Sequence, residues 1–244
     1  MKSEIEPRSS LFVRAAGLSD RVDYRLMETD KEKDCIYLQR YKAYFHAGVT
    51  SQADSQRVTD RFDDAPNAWI FGVYVDGELC SSLRLNVLTP ECRTSPTTEL
   101  FGDILHPRLD HGETFIDPVR FAALPEKARQ FPELPYLTLR LAYMACEHFN
   151  ADTGLALVRA EHQAFYRRVF MHEVIGEPRS LPNFLPKVGL LASNFRARRE
   201  QVLNRFPIMR SSAFERRTLF RRAGDSFQDA VISTFEPASI VPGF

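Results

Sequence analysis

The segment TFIDPVRFAALPE, residues 114–126, decides the fold. It has the bulky and β-branched apolar residues that favour a strand, but Asp117, Pro118 and Arg120 interrupt it. Because side chains alternate along a regular strand, Asp117 and Arg120 would point to opposite faces. Pro118 cannot donate a hydrogen bond to a neighbouring strand, so it belongs at an edge or a bulge. A bulge would turn Asp117 and Arg120 to one side and open a gap beside the next strand, whereas an ordinary edge strand would leave them as a solvated ion pair.

The composition suits one large domain, or one domain with a small appendage. The chain has 244 residues, 44% of them hydrophobic, and 32 Lys and Arg residues balance 32 Asp and Glu residues, so the overall charge favours no class of partner. The four cysteines form no C-x-x-C pair, which predicts reduced thiols and a cytoplasmic location. The first residues lack the apolar run of a signal peptide, and no segment approaches the ~18 apolar residues of a membrane span.

The order of the predicted elements is that of an α+β fold, with one mixed sheet and helices on both faces. Thr29 and Glu32 form a capping-box pattern at a helix start, and alternating apolar residues around Asp76-Gly77 indicate a hairpin. We predict a flexible leader at 1–20, a main domain at 21–195 and an Arg-rich helical extension at 196–244. The periodicity predicts strands at 24–29, 114–122, 154–160, 172–178 and 187–193, a hairpin at 67–88, and helices at 30–46, 135–151, 162–170 and about 194–205. Residues 47–67 are polar, which predicts a mobile connection or a short helix, and residues 89–113 form an insert that contains Pro and Thr.

Polar residues near the predicted hairpin are candidates for a site. Asp60 and Asp63, in the run DRFDD, could bind a substrate ammonium or hold an arginine, although a polar loop is the simpler interpretation. Arg84 shares a strand face with Ser82 and Asn86, which suggests a polar floor on which carboxylates dock, unless that face is exposed to solvent.

Two aromatic residues are further candidates. Arg40 and Tyr44 are neighbours one helical turn apart, an arrangement that more often reflects helix packing than a site. Tyr166 lies on a short predicted helix after a short strand, where a phenol could protonate a leaving thiolate. An ordinary core aromatic with its hydroxyl at the surface would look the same.

Motifs for metals and nucleotides are absent from the sequence. The six histidines are scattered, without an H-E-x-x-H pattern, and there is no P-loop, G-x-G-x-x-G or G-x-S-x-G motif. We therefore expect no metal. The segment 195–222 carries nine Arg against two Glu, which suggests a docking surface for an acidic partner or a solvated helix face. No motif supports nucleic-acid binding there.

The spacing of these motifs resembles that of the acyl-homoserine-lactone synthases. DRFD at 60–63, Arg84 on the hairpin and D-x-x-R-F at 117–121 follow that family's D-x-[YF]-D, Arg and E-x-x-R-F, and Arg40 with Tyr44 matches its Arg–aromatic pair on the first helix. Over roughly residues 24–192 the chain is more similar to the long-chain N-acyl amino acid synthases of the FeeM type, especially in LPYLTLRLAYMA and EHQAFYRRVF. Both groups have the GNAT acyltransferase fold.

The resemblance implies transfer of a long fatty acyl chain from acyl carrier protein to the amine of an amino acid, with no permanently bound cofactor. The acyl-phosphopantetheine arm would enter between splayed strands at 114–122 and 154–160, and the acyl chain would run between the sheet and the helix at 135–151. Backbone N–H groups near residues 120–122 would stabilise the tetrahedral oxyanion. The implied catalytic residues are Asp117, Arg120 and Tyr166, the implied substrate-binding residues are Arg40, Tyr44, Asp60, Asp63, Arg84 and Phe121, and carrier-protein docking is assigned to Arg198, Arg199, Arg216 and Arg217.

The chain also departs from the family pattern. Asp117 replaces the usual glutamate and is one methylene shorter, and the run AALPEKARQFPELP lacks the glycines of the GNAT pyrophosphate loop. That loss fits a carrier-protein donor better than free CoA. Near Tyr166, the glycine that normally precedes the following Phe is missing. A homoserine-lactone synthase using S-adenosylmethionine and an inactive module that binds a lipid or a carrier protein remain alternatives, as does a peripheral membrane contact through the product or the tail.

Overall fold

The computed structural model describes residues 14–51, 54–181 and 184–225. The strands are β1 (Val22–Leu26), β2 (Ala68–Val75), β3 (Glu78–Leu88), β4 (Phe115–Ala123), β5 (Thr153–Val158), β6 (Glu173–Leu181) and β7 (Phe184–Asn194). The helices are α1 (Asp30–His46), α2 (Pro96–Leu100), α3 (Gly102–Asp110), α4 (Pro125–Gln130), α5 (Leu134–His148), α6 (Ala160–Val169), α7 (Phe195–Arg205) and α8 (Ala213–Leu219).

These strands form a seven-stranded sheet in the order β1-β2-β3-β4-β5-β7-β6. The β4–β5 pair is parallel, and the other neighbouring strands are antiparallel. Leu83 and Leu85 on β3 belong to the main core, as do residues of α5 on the same face. Ser82, Arg84 and Asn86 alternate with them and therefore face the other side, where α1 packs. The predicted mixed sheet with helices on both faces is confirmed.

Local signals in the sequence set several element ends. The Thr29 hydroxyl accepts from the Glu32 amide while the Glu32 carboxylate accepts from the Thr29 amide, which completes the predicted capping box of α1. Asp76 and Gly77 both have left-handed φ values, 51° and 80°, as a type I′ hairpin turn requires. The insert at 89–113, for which no elements were predicted, contains α2 and α3; Ser95 and Thr98 form a second capping box, and Pro96 starts α2.

A bulge in β4 lies two residues after Pro118. Between the pairs Arg84↔Val119 and Ser82↔Ala122, β4 uses one residue more than β3. Arg120 takes the extra position with a left-handed φ of 57°, which is uncommon for a residue with a side chain. The predicted bulge is therefore confirmed, and it re-aims the side chain of Arg120.

The gap predicted beside β4 is also present. Within the described residues, β4 and β5 pair only at Phe115↔Thr153 and Ile116↔Gly154, near the start of both strands. Both strands then continue, β4 to Ala123 and β5 to Val158, without further pairing to each other. The sheet is thus splayed between its fourth and fifth strands.

Both ends of the described chain pack against the core. Ala15 and Leu18 are buried in the main core, although the segment 1–20 was predicted to be a flexible leader; residues 1–13 lie outside the described residues. From the predicted C-terminal extension, Val202, Leu203, Phe206, Met209 and Phe220 join the same core, and residues 226–244 lie outside the described part. The boundaries at 20 and 195 stay a prediction.

The end of the described chain is fastened next to β2. Arg222 donates to the carbonyls of Pro66 and Ala68 at 2.9 and 3.0 Å, and its guanidinium lies 4.1 Å from the centre of the Trp69 ring. Phe220 packs edge-on against the same ring at 5.9 Å. Among residues 14–51, 54–181 and 184–225, no helix has the length and apolar character needed to cross a membrane.

Candidate active site

The splay between β4 and β5 opens into a cavity of about 400 Å³. Its walls are mainly apolar, and its polar groups come from β4, the end of β5, α1 and α6. Such a cleft with a few converging polar groups is the usual form of a small-molecule site. Its lining includes Tyr44, Val119, Arg120, Phe121, Arg159, His162, Tyr166 and Phe184.

A network of charged side chains lies on the α1 side of the sheet beside this cavity. Arg84 donates to Asp60 at 2.5 Å and to Asp63 at 2.7 Å, and Arg40 donates to Asp63 at 2.8 Å. Arg120 donates to the other oxygen of Asp60 through two nitrogens, at 2.9 and 2.6 Å. Asp60 and Asp63 therefore hold arginines, which is one of the two roles expected from the sequence.

The network is buried and carries an excess of positive charge. The side chains of Arg40 and Arg84 are fully buried, whereas those of Asp60 and Arg120 are each 17% exposed. Burial alone would raise the pKa of Asp60, but the hydrogen bonds and charges of Arg84 and Arg120 outweigh it and lower that pKa to about 2. Three guanidinium groups thus face two carboxylates, which leaves one positive charge uncompensated within the cluster.

Asp117 lies behind the cavity wall and does not line the cavity. It is paired with Asn86 across the sheet, so it shares the α1 face with Arg84. One carboxylate oxygen accepts from the Thr97 hydroxyl at 2.9 Å, and the other has no hydrogen-bond partner among the described residues. Complete burial raises the pKa of Asp117 to about 6, although the hydroxyls of Thr97 and Ser95 and the charge of Arg84 act in the opposite direction.

Asp117 and Arg120 share a face of the sheet, as expected, but they do not contact each other directly. Arg120 turns to Asp60, and Asp60 in turn contacts Arg84, whose charge acts on Asp117. The bulge therefore brings Arg120 into the charged network and onto the cavity wall. Asp117 directly precedes Pro118, which lines the cavity, and the charge of Arg84 couples Asp117 to the network.

The residues on α1 are also part of the site. Tyr44 lines the cavity and donates to the carbonyl of Phe121 at 3.2 Å, which fixes α1 against the bulged part of β4. Arg40, one turn earlier, is committed to Asp63. Arg40 and Tyr44, which the sequence indicated mainly as a helix-packing pair, therefore have two roles. Tyr44 packs α1 against β4, and Arg40 stabilises the charged network.

Tyr166 separates the large cavity from a second, apolar one. This smaller cavity of about 40 Å³ lies between the sheet and α5, and Pro118 and Tyr166 line both spaces. Its other walls come from α5, β5, α7 and the residues after α6, including Leu139, Cys146, Leu155, Phe170, His172 and Phe195. Burial raises the pKa of Tyr166, so its hydroxyl stays protonated at neutral pH.

The start of α5 has no free cradle for a pyrophosphate. The amides of Leu134, Tyr136 and Leu137 donate to backbone carbonyls of residues 131 and 133, and Pro135 has no N–H group. Glu133, a fully buried acid at the N-cap position, forms an ion pair with Arg14 at 2.6 Å. A buried acid repels a phosphate, and amides that already donate to backbone carbonyls cannot bind one, so this helix start would not attract a phosphate.

The arginines assigned to docking lie on two separate helices. Arg198 and Arg199 are on α7, where Arg198 lines a surface groove together with Arg167 and Arg168 of α6. Arg199 is engaged by Glu147 and Glu200. Arg216 and Arg217 are on α8, near His148 at the end of α5.

Sequence reasoning missed four residues of this region. Arg159 and His162 line the large cavity and contact each other at 2.8 Å, and their position just after a strand at a helix start was a usable signal. Thr97 contacts Asp117 from a helix that was not predicted. His172 lines the smaller cavity, and nothing in the residues around it distinguishes it from a surface histidine.

Comparison with known proteins identifies related chains. The family described as N-acyl amino acid synthase FeeM matches residues 36–194, more than half of the 244 residues. No curated protein sequence matches this chain. The matched segment contains Asp60, Asp63, Arg84, Asp117 and Arg120.

Solved structures show the same fold at low sequence identity. FeeM, an N-acyl amino acid synthase from uncultured soil microbes, is 16% identical with a TM-score of 0.62, and the match covers 75% of this chain and 96% of FeeM. MesI, a CoA-dependent acyl-homoserine lactone synthase, is 14% identical with a TM-score of 0.53, covering 79% of this chain and 97% of MesI. TofI, solved in a ternary complex with an inhibitor and MTA, is 18% identical with a TM-score of 0.54, covering 78% and 100%. The GNAT-like fold is thus confirmed.

Proposed function

This chain belongs to the N-acyl amino acid synthase FeeM family, and from that premise we propose that it moves a long fatty acyl chain from acyl carrier protein to the amine of an amino acid. The chain is an N-acyltransferase. The observation that carries the finer proposal is the splay of β4 from β5, which opens a cavity beside a buried network of acids and arginines. A thioester arm can lie along the unpaired edge of β4.

In this proposal the donor thioester lies in the splay, next to the bulge. Past Ile116, β4 makes no pairs with β5 in the described chain, so backbone N–H groups near residues 120–122 can face the thioester carbonyl. Amides fixed in that way stabilise the tetrahedral oxyanion as it forms. Arg120 holds its place on the wall through Asp60 and supplies positive charge close to the same point.

The acceptor amine must lose a proton before it attacks. Asp60 has a pKa of about 2 and suits a position next to an ammonium, but it is a poor base. Asp117 has a pKa of about 6 and one oxygen without a partner among residues 14–51, 54–181 and 184–225, so it is the better base near neutral pH. Because Asp117 lies behind the cavity wall, the proton reaches it through water that enters when the substrates bind.

Tyr166 is our candidate for the acid that protonates the leaving thiolate. It borders both cavities, so it lies where the thioester sulfur and the acyl chain would meet. Its raised pKa keeps the proton available but makes the transfer to a thiolate less favourable than from an ordinary phenol. Its contribution to the rate should therefore be smaller than that of Asp117.

The acyl chain would enter the apolar space between the sheet and α5. At about 40 Å³ that cavity is too small for a long chain, so its walls must move apart when the donor binds. Leu139 and Cys146 of α5 face α7 across this space, and a small shift of either helix would enlarge it.

We propose a carrier protein rather than free CoA as the donor. The start of α5, where GNAT enzymes hold the CoA pyrophosphate, offers committed amides and a buried acid instead of a glycine-rich loop. Arginines on α7 and α8 supply the positive charge that an acidic carrier protein would recognise. A cytoplasmic location would place the enzyme with that donor.

The test is product formation by the purified protein. It is incubated with long-chain acyl carrier protein or acyl-CoA and with each amino acid or S-adenosylmethionine, and the products are identified by mass spectrometry. We expect N-acyl amino acids, formed faster from the carrier-protein donor. Acyl-homoserine lactones would instead identify a lactone synthase, and donor binding without turnover would identify an inactive binding module.

Two variants assign the roles of the named residues. Asp117→Asn and Arg120→Ala should each lose most of the activity, whereas Arg25→Ala, which removes an exposed arginine from β1, should not. Wild-type rates in both site variants would remove Asp117 and Arg120 from the mechanism.

A further inference from the structure

His172 is a buried histidine whose ring is not hydrogen-bonded. It lies just after α6, is 8% exposed, and lines the apolar cavity under the sheet. Neither ring nitrogen makes a hydrogen bond to any residue of the described ranges. The carbonyls of Leu155, Gly154 and Tyr166 lie near enough to favour the protonated ring, but none has hydrogen-bonding geometry.

The ring is therefore neutral and offers one donor and one acceptor. Burial lowers the pKa of His172 to about 4, and the nearby carbonyls only partly oppose that effect. A neutral imidazole carries one N–H and one lone-pair nitrogen. Leaving such groups unpaired in an apolar environment is unfavourable, so a polar group from outside the chain is expected beside them.

Two other polar groups in the cavity wall already have partners. The Ser193 hydroxyl donates to the carbonyl of Phe170 at 2.7 Å, and Arg198 contacts Glu173 at 3.4 Å. Burial raises the pKa of the Cys146 thiol, which keeps it uncharged. The His172 ring differs from Ser193 and Arg198, because neither of its nitrogens has a hydrogen-bond partner among the described residues.

In the proposed complex, the partner of His172 would lie near the thioester. Its ring centre is 5.8 Å from that of Tyr166, the residue that borders both the acyl cavity and the reaction cavity. A chain that enters past Tyr166 would meet His172 within its first few carbons. The free space of about 40 Å³ admits a water molecule or a small polar substituent there.

We propose that His172 selects acyl donors that carry a hydroxyl group near the thioester, with 3-hydroxyacyl chains as the substrate class. This inference rests on the proposed acyltransferase function and names its donor more narrowly. A hydroxyl can accept from the imidazole N–H or donate to the lone-pair nitrogen, so it satisfies the ring whichever tautomer is present. An unsubstituted chain would displace water from His172 and leave the ring unpaired.

The test compares 3-hydroxyacyl and unsubstituted acyl carrier protein thioesters of equal chain length. The ratio of their kcat/KM values is measured for the wild type, His172→Phe and His172→Gln. We expect the wild type to prefer the hydroxylated donor, His172→Phe to reduce this preference about tenfold, and His172→Gln, which keeps a donor and an acceptor, to retain part of it. Cys146→Ala, in the same wall, should leave the ratio unchanged.

A binding measurement separates failure of this inference from failure of the proposed function. Free 3-hydroxy and unsubstituted fatty acids are titrated calorimetrically into the wild type and His172→Phe, with folding of both checked by circular dichroism. If the wild type binds the hydroxy acid more tightly and His172→Phe does not, the inference stands even without turnover. The inference would be overturned if the wild type showed no preference between the two acids or between the two donors. It would also be overturned if His172→Phe kept the wild-type ratio of kcat/KM values.

Discussion

The carboxyl group of Asp117 is fully buried, yet the proposed mechanism requires it to carry a charge. One oxygen accepts from Thr97, and the other has no partner in the described part of the chain, on the face that carries Arg84. A shorter acid than the family's glutamate would not reach far into the cavity, and the structure shows it behind the wall. At the scale of single residues, the titration of Asp117 is the property most open to measurement.

The rate of acyl transfer should rise with pH through about 6. If Asp117 is the base, it must be ionised in the free enzyme, and its pKa of about 6 sets the acidic limb of the kcat/KM profile. Asp117→Asn should lower kcat roughly 10²–10⁴-fold and abolish that limb. An acidic limb near pH 6 that persists in Asp117→Asn would assign it to another group.

The same carboxyl should make the wild type less stable as pH rises. Its folded pKa of about 6 lies above the ordinary value of 3.8, so the folded state is favoured while the group is protonated, and this stability is lost as pH rises from about 4 through about 6. The shift corresponds to at most ~3 kcal/mol in the free energy of unfolding.

Urea unfolding of the wild type and Asp117→Asn between pH 4 and pH 8 measures this loss. We expect the difference between the two proteins to change in favour of the variant as the pH increases, because an amide does not titrate. A difference that is constant with pH would show that Asp117 is ionised at its ordinary pKa.

At the scale of elements, the bulge of β4 determines where Arg120 points. Pro118 in the sequence was enough to predict that the strand is irregular, but it did not give the position of the extra residue. That position depends on the partner strand, because the register of β3 fixes Val119 opposite Arg84 and Ala122 opposite Ser82. The left-handed conformation of Arg120 follows from this register.

Replacing Arg120 by glycine should be less destabilising than replacing it by alanine. Both variants lose the contacts to Asp60, but glycine adopts a φ of 57° without the steric penalty that alanine meets. Arg120→Gly should therefore exceed Arg120→Ala in the free energy of unfolding by about 1 kcal/mol, measured in urea. Equal stability, or a more stable alanine variant, would be inconsistent with a left-handed bulge.

Local signals and long-range contacts explain what the sequence could and could not predict. The cap at Thr29, the turn at Asp76-Gly77 and the strand and helix periodicities act over a few residues, and each was confirmed. The capping box at Ser95 had the same character and was overlooked. The connection of Asp60 to Arg84 and Arg120 spans 24 and 60 residues, so only the family resemblance suggested that these side chains belong together.

At the scale of the whole molecule, the even overall charge conceals a basic end. Four of the nine arginines at 195–222 are on α7 beside α6 and two are on α8, while Arg210, Arg221 and Arg222 lie outside both helices. Sequence alone treated them as one surface, because adjacency in the chain says nothing about how two short helices pack. Because the two groups are separate, the effect of charge reversal on α7 can be compared with that on α8.

Charge reversal should show which group an acidic carrier protein contacts. Arg198→Glu combined with Arg168→Glu changes the groove next to the smaller, apolar cavity, while Arg216→Glu combined with Arg217→Glu changes α8. We expect the first pair to raise the carrier-protein KM severalfold more than the second, with a smaller difference at high salt, because salt screens surface charges. An unchanged KM in both double variants would remove carrier docking from these arginines.

Arg222 and Phe220 pack against Trp69, so the intrinsic fluorescence of this tryptophan reports on their position. Trp69 is the single tryptophan of the chain, and both contacts come from the last described residues. Its emission should therefore shift to longer wavelength when this end of the chain detaches. Because Trp69 faces the core and not the cavity between β4 and β5, the signal can follow that detachment separately from events at the splayed strands.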